Sequence, residues 1–354
     1  MIAYIDLEVM ILKNKMFLLL ILLMVGCNKN ITQNDNSEKE RIYFISESGQ
    51  SRNIYILDLV SNEKFKFSVD FGPNDSIISL PIWCESTNSF YATFSDYSNS
   101  DIYSFDRYGK NLINLSTTSN IFEFNPVCSP NGEWIAYERF ETKSDIWLMD
   151  KNGKNLRNLT EKYPQNLSPI WSADSSTIYF SSLKEGSPNI FRTTLTGELL
   201  NVSKGTGVDG TFTLSPDSTK LAFDSDRDGN FDIFLLDLVS EKINNLTSSK
   251  EKESEPIFSP NGKMILFKIH SNTNFDYAIF DLTTQSIRNL TNYPNAYKGN
   301  AIWNKDSSMI FFSMKVGKYL DIFSADVIST EMNNLTNTSE INEFSPLLVN
   351  FPIN

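Results

Sequence analysis

Glu123, Asn166, Asp209, Glu253, Lys298 and Glu343, with Ile78 ahead of them, each stand three residues before a recurring Pro position and about 44 residues apart. If the fold gathers these positions around one opening, Glu123, Asn166, Asp209, Glu253 and Glu343 form a polar, mainly acidic rim. Such a rim attracts a cation, a basic peptide segment or a positively charged partner, because low-dielectric walls focus its field. Solvated linker positions are the competing reading. Other chemistry is sparse. The single histidine, His270, cannot build a multi-histidine metal centre, and it is the one imidazole base in the chain. It follows the apolar run Ile265–Ile269 and reads as a structural or surface residue. Asp226-Arg227-Asp228-Gly229-Asn230 has the alternating oxygens and glycine bend of a calcium loop. It lacks the downstream bidentate Glu and falls where a hairpin turn is needed, so a turn is expected. The charge of −12, from 31 Lys+Arg against 43 Asp+Glu, and the absence of any basic cluster exclude a general nucleic-acid binder. No catalytic residue, metal or cofactor is assigned.

The N-terminus carries a different kind of chemistry. Lys13 and Lys15 precede the uncharged apolar run Met16–Val25, which ends at Gly26-Cys27. The run is short for a membrane span and reads as a secretory signal. Its ending resembles a bacterial lipobox, which implies cleavage before Cys27 and acylation of that residue. Asp6 and Glu8 suit a signal poorly, so Met10 is an alternative start. The expectation is a lipoprotein signal over 1–26 and a polar flexible tether over 27–40, placing the protein in the bacterial cell envelope, facing the periplasm or exterior. Cys84 and Cys128 are the remaining thiols. In the repeat register they are offset by one residue, which turns their side chains to opposite faces of comparable strands and argues against a disulfide.

These residues are positioned by a repeat. One column reads Asn53-Ile54-Tyr55, Asp101-Ile102-Tyr103, Asp145-Ile146-Trp147, Asn189-Ile190-Phe191, Asp232-Ile233-Phe234, Asp276-Tyr277-Ala278 and Asp321-Ile322-Phe323. A second column, in phase with it, reads Asn-Leu-Thr or a close variant at Asn114, Asn158, Asn201, Asn245, Asn289 and Asn334. Glycosylation is the other reading of these sequons, but their period and the bacterial signal favour a repeat element. Each unit holds four short β-rich segments separated by Asn, Asp, Gly and Ser turns, so the expected fold is all-β, a propeller of four-stranded blades. Trp83, Trp171 and Trp303 share a column with Leu214 and Phe258 and are expected to pack blade on blade. The Asp closing the third strand (Asp58, Asp106, Asp150, Asp237, Asp281, Asp326) is expected to bond the next turn. The domain opens in mid-unit at Ile42-Tyr43-Phe44, and Pro346-Leu347-Leu348 at the far end matches the missing first strand. A C-terminal strand pairing with N-terminal strands would close the ring and remove two edges. Seven blades are expected over 41–350, with 351–354 as a tail; the degraded first unit leaves six as the alternative.

The phrases SPNGEWIAYE (129–138), SPDSTKLAFDSDRDGNFDIFLLD (215–237) and SPNGKMILF (259–267) resemble the repeats of the TolB-like (WD40-like, PD40) β-propeller family. The resemblance covers nearly all of 41–350 and speaks to fold more than function. Taken with the lipid signal, it implies a TolB-like repeat lipoprotein rather than TolB itself. The expectation is a non-enzymatic, membrane-tethered binding module with an envelope protein or small ligand as partner. The alternative is an enzyme acting on an envelope polysaccharide through channel-mouth carboxylates.

Overall fold

The computed structural model describes residues 39–351 apart from 49–50, 70–75, 78–80, 96–98, 272–273 and 294. The signal, Cys27 and most of the tether lie outside the described residues, as does Ile78. Glu40–Asn350 forms one compact unit. Its described residues contain strands and turns and no helix.

Four sheets show the repeat plainly, each with its strands antiparallel and bonded in chain order. They are Asn166–Trp171, Thr177–Ser182, Asn189–Thr194, Leu199–Asn201 (unit 4) and Asp209–Leu214, Lys220–Ser225, Asp232–Asp237, Ile243–Asn245 (unit 5). Unit 6 is Glu253–Phe258, Met264–His270, Phe275–Asp281, Ser286–Asn289, and unit 7 is Lys298–Trp303, Met309–Val316, Tyr319–Asp326, Met332–Asn334. In unit 1 the strand Asn342–Phe351 lies beside Lys39–Ser48, followed by Ser51–Asp58 and Lys64–Phe67. A nine-stranded sheet holds units 2 and 3, whose strand pairing among the described residues runs through a parallel bridge between Ser100 and Phe122. Unit 2 comprises Ser76–Ile77 and Ile82–Cys84, both paired with Ser89–Ser95, then Ser100–Asp106 and Ile113–Asn114. Unit 3 comprises Phe122–Cys128, Trp134–Phe140, Ser144–Asp150 and Arg157–Asn158.

The units stack because their second and third strands are apolar on both faces, as a sheet covered on both sides must be. Ile178, Phe180 and Phe191 of unit 4, for example, are fully buried. The Trp column spans the seam: Trp171 packs on Ala136, Ile146 and Leu148 of unit 3. Unit 7 packs on unit 1 through Phe311 and Ile322 against Ile42, Phe44 and Leu57. Turns also interlock, since Ser175 Oγ accepts the Asn131 N–H at 3.0 Å and Ser218 Oγ that of Ala173 at 2.8 Å. The third-strand Asp behaves as expected, Asp150 Oδ1 accepting the N–H groups of Asn152 and Lys154 at 2.8 and 3.0 Å.

The argument against a Cys84–Cys128 disulfide is overturned. The two sulfurs are bonded, with Cα atoms 6.1 Å apart. Both residues do point to opposite faces of their own sheets, but stacked sheets meet front to back. Cys84 faces forward and packs with Ile135, Tyr137 and Met149 of unit 3. The column of Cys128 faces backward: Trp171 Nε1 donates to the Val127 carbonyl at 3.0 Å, and Trp303 Nε1 to that of Ile257 at 3.2 Å. The offset of one residue is what lets the thiols meet.

Candidate functional site

The two sequence columns are one hydrogen-bonded motif, which is why they keep phase. Asn114, Asn158, Asn245 and Asn334 donate their side-chain amides to Asp101, Asp145, Asp232 and Asp321 at 2.8, 3.0, 2.8 and 2.8 Å. The hydroxyl two residues after the Asn accepts the N–H of the residue after the Asp, as in Ile102 to Ser116 at 2.9 Å and Ile146 to Thr160 at 2.9 Å. The fourth strand is thereby clamped to the third, and the chain is released into the linker that leads to the next unit.

The expected acidic rim is not formed at the surface. Glu123, Asn166, Asp209, Glu253, Lys298 and Glu343 are all at most 1 % exposed. Each lies in the opening residues of a first strand, and strand alternation turns its side chain backward beneath the linker onto the preceding unit's motif. Asn166 Nδ2 donates to Asp145 Oδ1 at 3.2 Å, and Lys298 Nζ lies 2.9 Å from Asp276 Oδ1. Asp209 is paired with Arg227 at 2.8 Å, Glu343 with Lys64 at 2.8 Å and Glu123 with Arg139 at 3.5 Å. Burial pushes the carboxyl pKa of Glu123 and Glu253 up, and that of the Lys298 ammonium down. Asn166 and Lys298 fasten their units to the preceding ones, while the ion pairs of Asp209, Glu343 and Glu123 lie within their own units.

The concave site lies further along the first strands. In units 3 to 7 the pairing of first with second strand shifts register just before the Pro position, a β-bulge in each. Asn125, Ser168 and Glu255 take φ values of 51, 58 and 55° there, and Ser345, at the equivalent place in unit 1, takes 54°. Units 5 and 7 place glycine beside the bulge for want of room: a Cβ on Gly210 would meet Asp224 Oδ1 at 1.9 Å, and one on Gly299 would meet Ser313 Oγ at 2.1 Å. Behind the bulges sit buried acids from the second strands. Glu138 Oε1 accepts the Asn125 side-chain amide and the Ser168 backbone N–H of unit 4, both at 2.8 Å. Asp224 Oδ2 accepts the Thr211 hydroxyl at 2.5 Å and the Glu255 N–H of unit 6 at 2.9 Å. Each acid stitches one unit's bulge to the next.

Burial raises the carboxyl pKa of both Glu138 and Asp224, with their hydrogen-bond donors opposing it. A carboxyl that keeps its proton to higher pH in the folded state stabilises fully below the ordinary carboxylate range and loses that contribution as pH rises through its raised value. Glu138→Gln keeps an acceptor for both N–H groups without the charge. Its Tm is expected to exceed that of the wild type increasingly as pH rises from the ordinary carboxylate range toward neutrality. Superimposable melting curves of the two proteins across that range would remove Glu138 as the cause.

The bulged segments line two adjoining cavities of about 580 and 400 Å³ that share Ile82 and Thr211 and together draw on the first strands of units 1 to 7. Their walls are largely apolar, with prolines such as Pro81, Pro169 and Pro346. The charged lining is Arg52, Glu255 and Lys268. Lys268 Nζ is bonded to Glu255 Oε2 at 2.5 Å and stands 4.3 Å over the Phe275 ring, while Arg52 pairs with Glu47 at 2.8 Å. His270 lies outside this lining, its Nε2 2.7 Å from Ser254 Oγ and its pKa lowered chiefly by burial. Asp226–Asn230 forms the expected hairpin turn, with the Gly229 N–H on the Asp226 carbonyl at 2.8 Å and Asp226 Oδ1 accepting the Val208 N–H at 2.7 Å. Glu138, Asp224, Glu255 and Lys268 escaped the sequence reading. A signal was present for three of them, a charge directly after the apolar triplet of the second strand in Ile135-Ala136-Tyr137-Glu138, Leu221-Ala222-Phe223-Asp224 and Ile265-Leu266-Phe267-Lys268.

No curated protein matches the chain. Among solved structures, it is similar to TolB from Acinetobacter baumannii, with a TM-score of 0.52 and 21 % identity over 72 % of this chain and 64 % of that one. A puromycin-hydrolysing peptidase of Mycobacterium tuberculosis gives a TM-score of 0.67 at 12 % identity, over 85 % of this chain and 53 % of that one. An oligogalacturonate lyase in complex with manganese gives 0.61 at 12 %, over 85 % and 87 %. The chain spans between half and two thirds of the length of the first two, and identities this low speak for fold alone. The family model for the TolB beta propeller domain, PD40, matches residues 98–345. Its repeats are the four-stranded units described above, so the chain belongs to the TolB β-propeller (PD40) family.

Proposed function

We propose that this chain is a membrane-anchored, non-enzymatic β-propeller of the bacterial cell envelope, its seven units closing one ring, and that it takes a protein segment or small ligand into its central channel. The observation that carries the reading is the lining of the 580 Å³ cavity, an apolar wall with a few oriented polar groups, as binding sites commonly have. Its acids are occupied: Glu255 is held by Lys268, and Asp224 behind the wall by backbone and hydroxyl donors. The carboxylates on which a polymer-acting enzyme would depend are buried between units. Acylation at Cys27, with the polar segment 28–40 as tether, would confine the domain near one leaflet and raise its effective concentration for envelope partners.

A photo-crosslinker placed at Ile302 or Leu347 in the channel, compared with one at the exposed turn residue Asn152, tests this in native envelopes. The expected result is a discrete adduct from the channel positions that is lost when Ile257→Asp charges the wall. Crosslinking confined to Asn152 would overturn the channel as the binding site. Product release from isolated envelope glycan by the purified chain would support the enzyme instead.

A further inference from the structure

The linkers between units share an internal polar site, and most of those sites hold a cation of the chain's own. Between units 6 and 7, Lys298 Nζ sits against Asp276 and donates to the carbonyls of Phe275, Tyr293 and Ala296 at 2.8, 2.5 and 3.2 Å. Between units 3 and 4, Lys143 Nζ fills the equivalent place, bonded to Asp145 and to the carbonyls of Glu161 and Tyr163 at 2.9, 2.6 and 2.7 Å. Between units 4 and 5, Arg227 bonds both Asp209 and the Ser203 carbonyl, at 2.8 and 3.2 Å. Glu123 and Glu343 have Arg139 and Lys64.

The site between units 5 and 6 breaks this pattern. It contains two buried acids, Asp232 and Glu253, at 4 and 1 % exposure, and among the described residues neither has a Lys or Arg within ion-pair distance. The position that supplies Lys143 in unit 3 is Asn230, whose amide reaches the Glu251 carbonyl at 2.7 Å but brings no charge. The position that supplies Lys298 is Glu253 itself. Asp232 is bonded to Asn245 and to the Ser249 N–H. Glu253 Oε2 is buried with no hydrogen-bond partner, as are oxygens of Glu123, Asp209 and Glu343. Those three acids each have an Arg or Lys within 3.5 Å, whereas Glu253 has the Thr247 and Ser249 hydroxyls and the neighbouring Asp232 carboxylate. Taking two carboxylates out of water without a counter-charge is strongly unfavourable. The repeat register also places carbonyls there: Phe231 and Ser249 correspond to Phe275 and Tyr293, which hold the Lys298 ammonium. The Phe231 and Ser249 carbonyls each accept one N–H already, from Glu253 at 2.8 Å and from the Asn230 amide at 3.4 Å, with a second lone pair left for a cation.

We propose that Asp232 and Glu253, with the neighbouring linker carbonyls, bind one calcium ion in the site where sister linkers hold a lysine or arginine. Two carboxylates match a divalent charge, and carboxylate, carbonyl and hydroxyl oxygens are the donors a hard cation takes. The ion does for units 5 and 6 what Lys298 does for units 6 and 7.

The test uses the full chain stripped with EDTA, then given Ca²⁺ alone, followed by calorimetric titration and thermal unfolding. One equivalent is expected to bind, raising Tm by about 5 °C at a hundredfold excess over Kd. Glu253→Gln is expected to weaken binding at least tenfold. Glu253→Lys restores the sister arrangement, so it is expected to fold without Ca²⁺, to melt no lower than the EDTA-treated wild type, and to show no calcium response. Absence of binding and of any Tm shift at millimolar Ca²⁺ would overturn the proposal, leaving a protonated Glu253 as the occupant. Undiminished binding in both variants would overturn it equally, by placing the ion elsewhere.

Discussion

A chain ending at Ile341 should fail to fold cooperatively. The strand Asn342–Phe351 is the neighbour of Lys39–Ser48 in unit 1, so its loss leaves that strand with an open edge and the first strand of the unit missing. Leu348 belongs to the cluster that joins Ile42 and Phe44 to Phe311 and Ile322 of unit 7, and Val349 is 1 % exposed. Losing the buried Val349 removes about 1.5–3 kcal/mol, and the half-buried Leu347 and Leu348 each add a part of that. The exposure of their former neighbours adds to this, against a net stability of about 5–15 kcal/mol for a whole domain. The expected result is a broad, weak thermal transition and self-association through the open edge, read by circular dichroism and size-exclusion chromatography. A truncated chain that stays monomeric with the wild-type Tm would show that unit 1 does not need its C-terminal strand.

The second large effect is expected from the disulfide. Cys84 and Cys128 are 44 residues apart in sequence, and closing a loop of that length restricts the unfolded chain by about 4 kcal/mol. The bond also ties unit 2 to unit 3 at the seam where Cys84 packs on Ile135, Tyr137 and Met149. Replacing both cysteines by serine should lower Tm by roughly 7 °C. Strong reductant should bring the wild type toward the same value and leave the double variant unchanged. A double variant that melts with the wild type would mean the seam is held by packing on Tyr137 and Met149 alone.

Much of the fold was legible because each unit must solve the same problem. A strand period, a turn and the Asp with its Asn-Leu-Thr partner are local needs, and local needs recur in local sequence. The four-stranded unit, the Trp column at the seam and the Asp that caps the third strand could therefore be read directly. The site was less legible, and the errors share one cause. The faces of their own strands say nothing of what Cys84 and Cys128 meet, and nearness to a linker does not expose Glu123 or its counterparts. Both questions turn on what the neighbouring unit presents.

Composition and period by themselves determined an all-β chain of about 44-residue units whose single histidine cannot build a multi-histidine centre. They also determined which residues would occupy equivalent places. Only the tertiary structure decided what each place faces. A period-2 strand says that two residues point oppositely, but the front-to-back stacking of sheets decides that opposite faces meet, and so joins two cysteines. The same stacking buries the column that the sequence suggests as an acidic rim. It also turns equivalent positions into Lys298 on its carbonyls in one linker and an uncompensated Glu253 in another, because the charge at a buried site is balanced by whatever the adjoining unit brings to it.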